Sequence, residues 1–263
     1  MYELPKDEYG KVLPIFADAD HNIATVFGAI EGNIPVKIFV DQRKKPTVAI
    51  IQTGWLFLKG NEENADFNNE LKNMLVDEIM PNLDDGNLLV FSYSDGWRDI
   101  LDELLTDHGV SRVDRTVLDL DPELFRERHS GWRDRIPVGY RTEQMDRELA
   151  GKIPGLIDMW GGADNFLSKG TGGCVMKGDE LISSCYAVHV GNGRAETGIQ
   201  TNEKYRRQGF GTLAGCAYID HCLEIGLVLE WGCFYNVASG GVAEKLGFAN
   251  RRNIPVNYVK VEK

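Results

Sequence analysis

Arg206, Arg207, Gln208, Gly209, Phe210 and Gly211 stand directly before an apolar run. In that run Leu213, Cys216, Ala217, Ile219 and Leu223 recur at helical spacing, so a helix is expected over 211–225. The first amides of a helix have no intrahelical acceptor, and its dipole is positive at that end, so the turn favours an anion. Gly209 and Gly211 let the backbone come close to such a ligand, because no Cβ intervenes. Arg206 or Arg207 adds charge-assisted hydrogen bonds of about 1.5–3 kcal/mol each. The anion these features suit best is a phosphate or pyrophosphate on residues 207–212. Solvated arginines beside an ordinary glycine turn are the bland alternative.

Three phosphate-binding patterns compete for this loop. A Walker loop needs Gly-Lys-Ser/Thr at the helix start, and here Thr212 follows Gly211 with no lysine between. A dinucleotide fingerprint fits formally from Gly209 to Ala214, with Glu230 placed as a ribose partner. That fingerprint follows its strand directly, whereas here the polar run 201–208 intervenes. The third pattern, Arg/Gln-x-x-Gly-x-Gly/Ala, is met in full from Arg206 to Gly211.

The elements that must position the loop read as follows. Strands are expected at 22–30, 36–41 and 87–94, and one long or broken strand at 47–60. Helices are expected at 64–80 and 96–107, a strand at 112–120, and a short helix capped by Asp121 and opened by Pro122. In the second half Thr142 is expected to cap a helix whose buried face is Met145, Leu149 and Ile153. A second helical segment follows near 156–167. Turns at Lys177-Gly178-Asp179 and Gly191-Asn192-Gly193 then divide a three-stranded antiparallel meander. The loop, its helix, a strand at 227–234, a helix at 237–246 closed by Gly247 and a last strand complete the chain. The fold class is α/β (α+β): a mixed, mostly antiparallel twisted sheet with flanking helices. The first half repeats the second in outline, which suggests two tandem modules, 1–130 and 131–263. At the loop position 56–67 the first lacks the arginines and the second glycine, so it reads as a degenerate copy that walls the acceptor cleft.

The 263 residues carry a net charge of −11, which argues against broad nucleic-acid binding. No apolar run reaches the roughly 18 residues needed to cross a bilayer, and the N-terminus is not a signal peptide. Five cysteines without a CxxC pair suit buried thiols in the cytoplasm. Asp18–His21 and Asp119–Asp121 read as solvated or capping acids, so no metal is expected. His189 and His221 read as structural.

The Arg206–Gly211 loop, together with Asn236, Ser239 and the Lys245-Leu246-Gly247-Phe248 ending, resembles the GNAT acetyltransferase superfamily. The segments at 196–201, 205–212 and 231–239 are similar to a bacterial branch that includes the zwittermicin resistance acetyltransferase. The resemblance implies acetyl-CoA as co-substrate and a small-molecule amine as acceptor, and a homodimer is compatible with it. Ile199, Gln200 and Thr201 would pair with the pantetheine arm, one of their amides facing the oxyanion. Asn236 and Ser239 would border the arm or the sulfur. An amine with a pKa of about 10.4 must lose a proton before attack. Glu196 is the first candidate base and Glu230 the second, although counting from Arg206 puts the superfamily's usual acid at Ala195. The tyrosine common seven residues after Asn236 is replaced by Ala243, and Tyr235 or Cys233 would have to stand in as proton donor. A CoA-binding module without turnover, acting as a sensor or partner, is the alternative reading.

Overall fold

The computed structural model describes residues 1–83, 86–234 and 237–261. Among these, twelve strands build one sheet. They are β1 (Tyr2–Glu3), β2 (Lys37–Val40), β3 (Val48–Gln52), β4 (Leu56–Gly60), β5 (Asn87–Ser92), β6 (Ser111–Leu120), β7 (Arg141–Gln144), β8 (Gly172–Lys177), β9 (Glu180–Gly191), β10 (Arg194–Thr201), β11 (Val228–Phe234) and β12 (Phe248–Lys260). Their order across the sheet is β1-β2-β3-β4-β5-β12-β6-β11-β10-β9-β8-β7. Only β4 with β5 and β10 with β11 are parallel neighbours. The mixed, mostly antiparallel sheet expected from sequence is therefore present.

The order has the same form from either edge, with the parallel pair fourth and fifth. The Ala65–Asn73 helix joins β4 to β5 as Phe210–Glu224 joins β10 to β11. Asp95–Leu104 leads from β5 to β6 as Val237–Lys245 leads from β11 to β12. The two halves thus repeat one plan, yet they exchange their last strands. β6 lies on β11 with Leu118 opposite Trp231 and Arg115 opposite Phe234. β12 lies on β5 with Asn257 opposite Val90. One apolar core runs through both halves, from Phe57 and Phe91 to Trp231 and Phe248, and a second packs Phe67, Leu71, Trp97 and Leu101 onto the first half's strands.

Local chemistry explains most boundaries. Asp121 caps the Pro122–His129 helix, its Oδ1 accepting from Glu123 N at 3.0 Å and Leu124 N at 3.1 Å. Asn192 (φ 52°) and Gly193 (φ 67°) supply the left-handed pair that a two-residue hairpin turn between β9 and β10 requires. Gly247 closes the Val237–Lys245 helix at φ 95°.

Three expectations fail. Segment 22–30 is not a strand: Ile23–Ile30 is a helix, buried on nearly all sides, and an apolar run that short carries no period to separate the two. Thr142 does not cap a helix. It pairs with Val175 in edge strand β7, and Asp146 is the cap, accepting from Leu149 N at 2.9 Å. Met145, Leu149 and Ile153 are buried as expected, but the helix is Arg147–Gly151, so only Leu149 lies on it. Segment 47–60 is neither one strand nor a bent one but an antiparallel hairpin, β3 and β4, turned at Thr53–Trp55.

The Ile23–Ile30 helix lies against the β9 end so closely that its backbone touches the sheet's. A Cβ on Gly191 would stand 2.0 Å from Gly28 N and 2.5 Å from Phe27 C, both backbone atoms that cannot swing aside. Gly191→Ala is expected to lower stability by about 1–3 kcal/mol, read as a reduced midpoint in thermal or urea unfolding.

Candidate functional site

β10 and β11 pair at three positions, Arg194 with Val228, Ala195 with Leu229 and Glu196 with Glu230, and then part. From Thr197 to Thr201 β10 keeps β9 on one side but has no strand on the other. Two hollows open on this gap. A groove of about 1160 Å³ is lined by Ile199, Gln200, Thr201, Arg206, Arg207, Gly209, Gly211, Thr212 and Ser239, among others. A second cavity, of about 640 Å³, holds Trp55, Tyr186, His189, Glu196 and Gly232, and it shares Ile199 and Ser239 with the groove.

The loop has the geometry its sequence suggested. Arg207 (φ 60°) and Gly209 (φ 89°) both adopt left-handed backbone, so the chain turns sharply just before the helix. Gly209 is needed for that angle rather than for space, since nothing lies within 4 Å of where its Cβ would be. The helix begins at Phe210, so the amides of 210–212 have no intrahelical acceptor. Phe210 itself is buried against Tyr140 and Tyr205 and anchors the turn. Gln208 is tied down by its Nε2, which donates to Lys204 O at 3.0 Å. Arg206 is exposed, its Nε 3.3 Å from Thr201 O. Lys152 and Lys245 also line the groove, adding positive charge to that of Arg206 and Arg207 against one acid, Glu203. Sequence reading missed both lysines, because they come from elements distant in the chain.

Tyr235 and Asn236 lie outside the described residues. Ser239 receives a hydrogen bond from Trp231 Nε1 at 3.1 Å. Ala243 is fully buried, so this position offers no proton donor, and burial raises the Cys233 thiol above its ordinary value.

The structure separates the two candidate carboxylates. Glu196 is buried at the cavity wall, with one oxygen in an ion pair with Arg115 Nη2 and the other accepting from Thr25 Oγ1 at 2.7 Å. Arg115 comes from β6, in the first half of the chain. Its guanidinium is sandwiched among aromatic rings, 4.4 Å from Trp55 and 5.3 Å from Phe234. Gly232 gives it room: a Cβ there would lie 2.2 Å from Nη2. The signal for Arg115 was present but unread, since it shares a strand face with Val113 and Val117. Glu230 sits one strand over and does not line the 640 Å³ cavity. It accepts from Ala24 N at 2.9 Å and Arg194 Nε at 3.2 Å, and so fastens the start of the Ile23–Ile30 helix.

Burial pushes the Glu230 carboxyl up to about 7, the charge on Glu196 adds to the rise, and Ala24 N–H and Arg194 offset only part of it. The folded protein therefore holds a proton there that the unfolded chain has lost above its ordinary value of 4.5. Stability is fully present below about 4.5 and declines as pH rises through about 7. Glu230→Gln is expected to flatten this part of the profile, measured as thermal midpoints of both proteins from pH 5 to pH 8. Parallel profiles would contradict the assignment.

Comparison with known proteins agrees with this geometry. A family model described as GNAT acetyltransferase matches residues 14–256, thus both halves rather than the second alone. An uncharacterized N-acetyltransferase of Bacillus subtilis (strain 168), YdfB, is 26% identical over 266 residues, covering 98% of each chain. Among solved structures, a GCN5-related N-acetyltransferase-like protein from Streptococcus suis 89/1591 superposes with a TM-score of 0.74 at 20% identity, over 96% of this chain and 98% of that one. A tandem GNAT protein from the clavulanic acid biosynthesis pathway does so with a TM-score of 0.62 at 14% identity, over 99% and 98%. No group of residues suited to a metal ion occurs among the described residues, and no described helix is long and apolar enough to cross a membrane. With a left-handed glycine turn at a strand gap and a family match along almost its whole length, the chain belongs to the GNAT acetyltransferase family and is an enzyme of that family, an acetyltransferase.

Proposed function

We infer that the protein transfers the acetyl group of acetyl-CoA directly to a primary amine of a small molecule. The observation that carries this reading is the meeting of the two hollows at Ile199 and Ser239, where β10 leaves β11. In this reading the groove takes the cofactor end. Amides 207–212 with Arg206 and Arg207 hold the diphosphate. The open edge of Ile199, Gln200 and Thr201 pairs with the pantetheine arm, and one of its N–H groups faces the oxyanion. Asn236 and Ser239 border the arm near the sulfur. The 640 Å³ cavity takes the acceptor. Its walls are Ile34, Pro35, Trp55, Tyr186 and Val188, with Asp158 exposed beside them, which suits a cation carried on an apolar body.

Glu196 lines this cavity beside the path of the departing amine proton, while Glu230 backs it from the neighbouring strand. The proton for the departing sulfur comes from Tyr235 or from the base that has taken the amine proton. A thiol with a pKa near 8.5 also leaves as thiolate without help, so Ala243 does not forbid turnover. The similarity at 196–201, 205–212 and 231–239 supports the branch that includes the zwittermicin resistance acetyltransferase. The same reading places the enzyme in the cytoplasm, where its free cysteines stay reduced, as a monomer or homodimer.

Arg206→Ala combined with Gly211→Asp tests the loop. Aspartate in the first turn suits the helix dipole, so the fold is expected to persist, while the new charge repels a diphosphate. CoA binding measured by calorimetry should weaken at least about tenfold, matching the loss of one charge-assisted bond. Unchanged affinity with an unchanged circular dichroism spectrum would remove the loop from the site.

A further inference from the structure

The sequence reading set His189 aside, and the structure brings it into the acceptor cavity. β9 carries a bulge here: Glu196 is opposite His189 and Thr197 is opposite Ala187, which leaves Val188 without a counterpart. Regular alternation would send Val188 and His189 to opposite faces, but both line the same cavity. Bulges re-aim side chains in this way.

The hydrogen bonds then fix which ring nitrogen is free. Thr25 Oγ1 has one hydrogen and lies 2.7 Å from Glu196 Oε2, which can only accept while Glu196 is ionised against Arg115. The hydroxyl therefore donates to Glu196. His189 Nδ1 is 2.9 Å from the same hydroxyl oxygen, so Nδ1 must carry the hydrogen that this contact uses. The neutral ring is left with its lone pair on Nε2. That atom has no hydrogen-bond partner among the described residues and is not sealed from solvent, and His189 is half-buried at the cavity wall.

We propose that His189 Nε2 is the general base that takes the proton from the acceptor amine, with Thr25, Glu196 and Arg115 as positioning residues behind it. This inference rests on the acetyltransferase reading above and deepens it. Each Glu196 oxygen already accepts a hydrogen bond, from Arg115 and from Thr25, and a proton on Glu196 would cancel the charge that pairs with the buried Arg115. Through His189 that ion pair stays intact. The neutral amine forms its C–N bond to the thioester carbonyl carbon, and Nε2 takes one N–H proton. Collapse of the adduct breaks the C–S bond, and the imidazolium gives the proton to the departing thiolate. The products are an amide and a thiol, and the histidine is neutral again.

Burial holds the imidazole below the ordinary histidine value, with Glu196 opposing that shift and Arg115 reinforcing it. The charged groups around it are Glu196 on β10 and Arg115 on β6, with Asp158 at the cavity wall. The helix 23–30 that packs on it has no titratable side chain, and Tyr186 is its neighbour on β9. His189 is thus in its basic form at neutral pH, and its own protonation adds a further fall in acetyl transfer, below 6.5, to the one that protonation of the amine causes.

The test uses the full chain with phenethylamine and benzylamine as acceptor probes. His189→Gln should lower kcat by about 10²- to 10³-fold, abolish the part of the acidic limb of kcat/KM that lies below pH 6.5, leave the part due to the amine, and leave the affinity for acetyl-CoA unchanged. Thr25→Val, which keeps the histidine but removes its partner, should give a smaller loss and move that limb. A His189→Gln enzyme with near-wild-type kcat and the same limb would overturn the proposal. Nitrogen-15 histidine spectra of the unliganded wild-type protein supply a readout independent of turnover. The Nδ1–H tautomer is expected at neutral pH and should become mixed in Thr25→Val. An Nε2–H tautomer or a protonated ring at neutral pH would sink the idea even if no probe amine reacts. Failure of wild-type protein to bind acetyl-CoA would instead count against the acetyltransferase reading.

Discussion

Two parallel strands that separate leave amides and carbonyls on their inner edges, and each such group, if buried without a partner, costs about 1–3 kcal/mol. β10 and β11 accept this burden after Glu196 and Glu230. What compensates is that each strand keeps a full ladder on its outer side, β9 for β10 and β6 for β11. The gap is thus framed by its neighbouring strands. An extended chain with amide groups of its own is the ligand chemistry that such an edge can satisfy.

The residues around the gap are drawn from elements that share little in sequence. Arg115 comes from the strand exchanged out of the first half, Thr25 from a helix near the N-terminus and His189 from a bulge in β9. They converge on Glu196 because the Ile23–Ile30 helix is fastened to the sheet at both ends. Glu230 receives its Ala24 amide, and Gly28 rests on Val190 and Gly191. Burying an arginine and two glutamates is costly unless each is paired. Here Arg115 pairs with Glu196 and Arg194 with Glu230, and Asp119 completes the second pair by accepting from Arg194 Nη2 at 2.7 Å.

Much of this was legible in the sequence where the signal is local. The glycine loop, the meander turns, the Asp121 cap and the order of elements after residue 172 all follow from residue types at fixed offsets. Reading failed where tertiary contact decides. The Ile23–Ile30 segment has β-branched residues and no usable period, and only its packing makes it a helix. Glu196 was found but not its partners, because an ion pair spanning 81 residues leaves no trace in spacing. His189 was passed over because strand alternation says nothing about a bulge.

The exchange of β6 and β12 has a bearing on how the chain acquires its shape during synthesis. β5 is made early, but β12, which covers its far edge, is the last of the twelve described strands to be made. Until then the first half carries an unsatisfied sheet margin, the kind of surface that recruits foreign strands. Contacts of such long separation form slowly. The nascent first half is therefore the stage at which this protein is most exposed to misassembly, and the arrival of β12 ends that exposure.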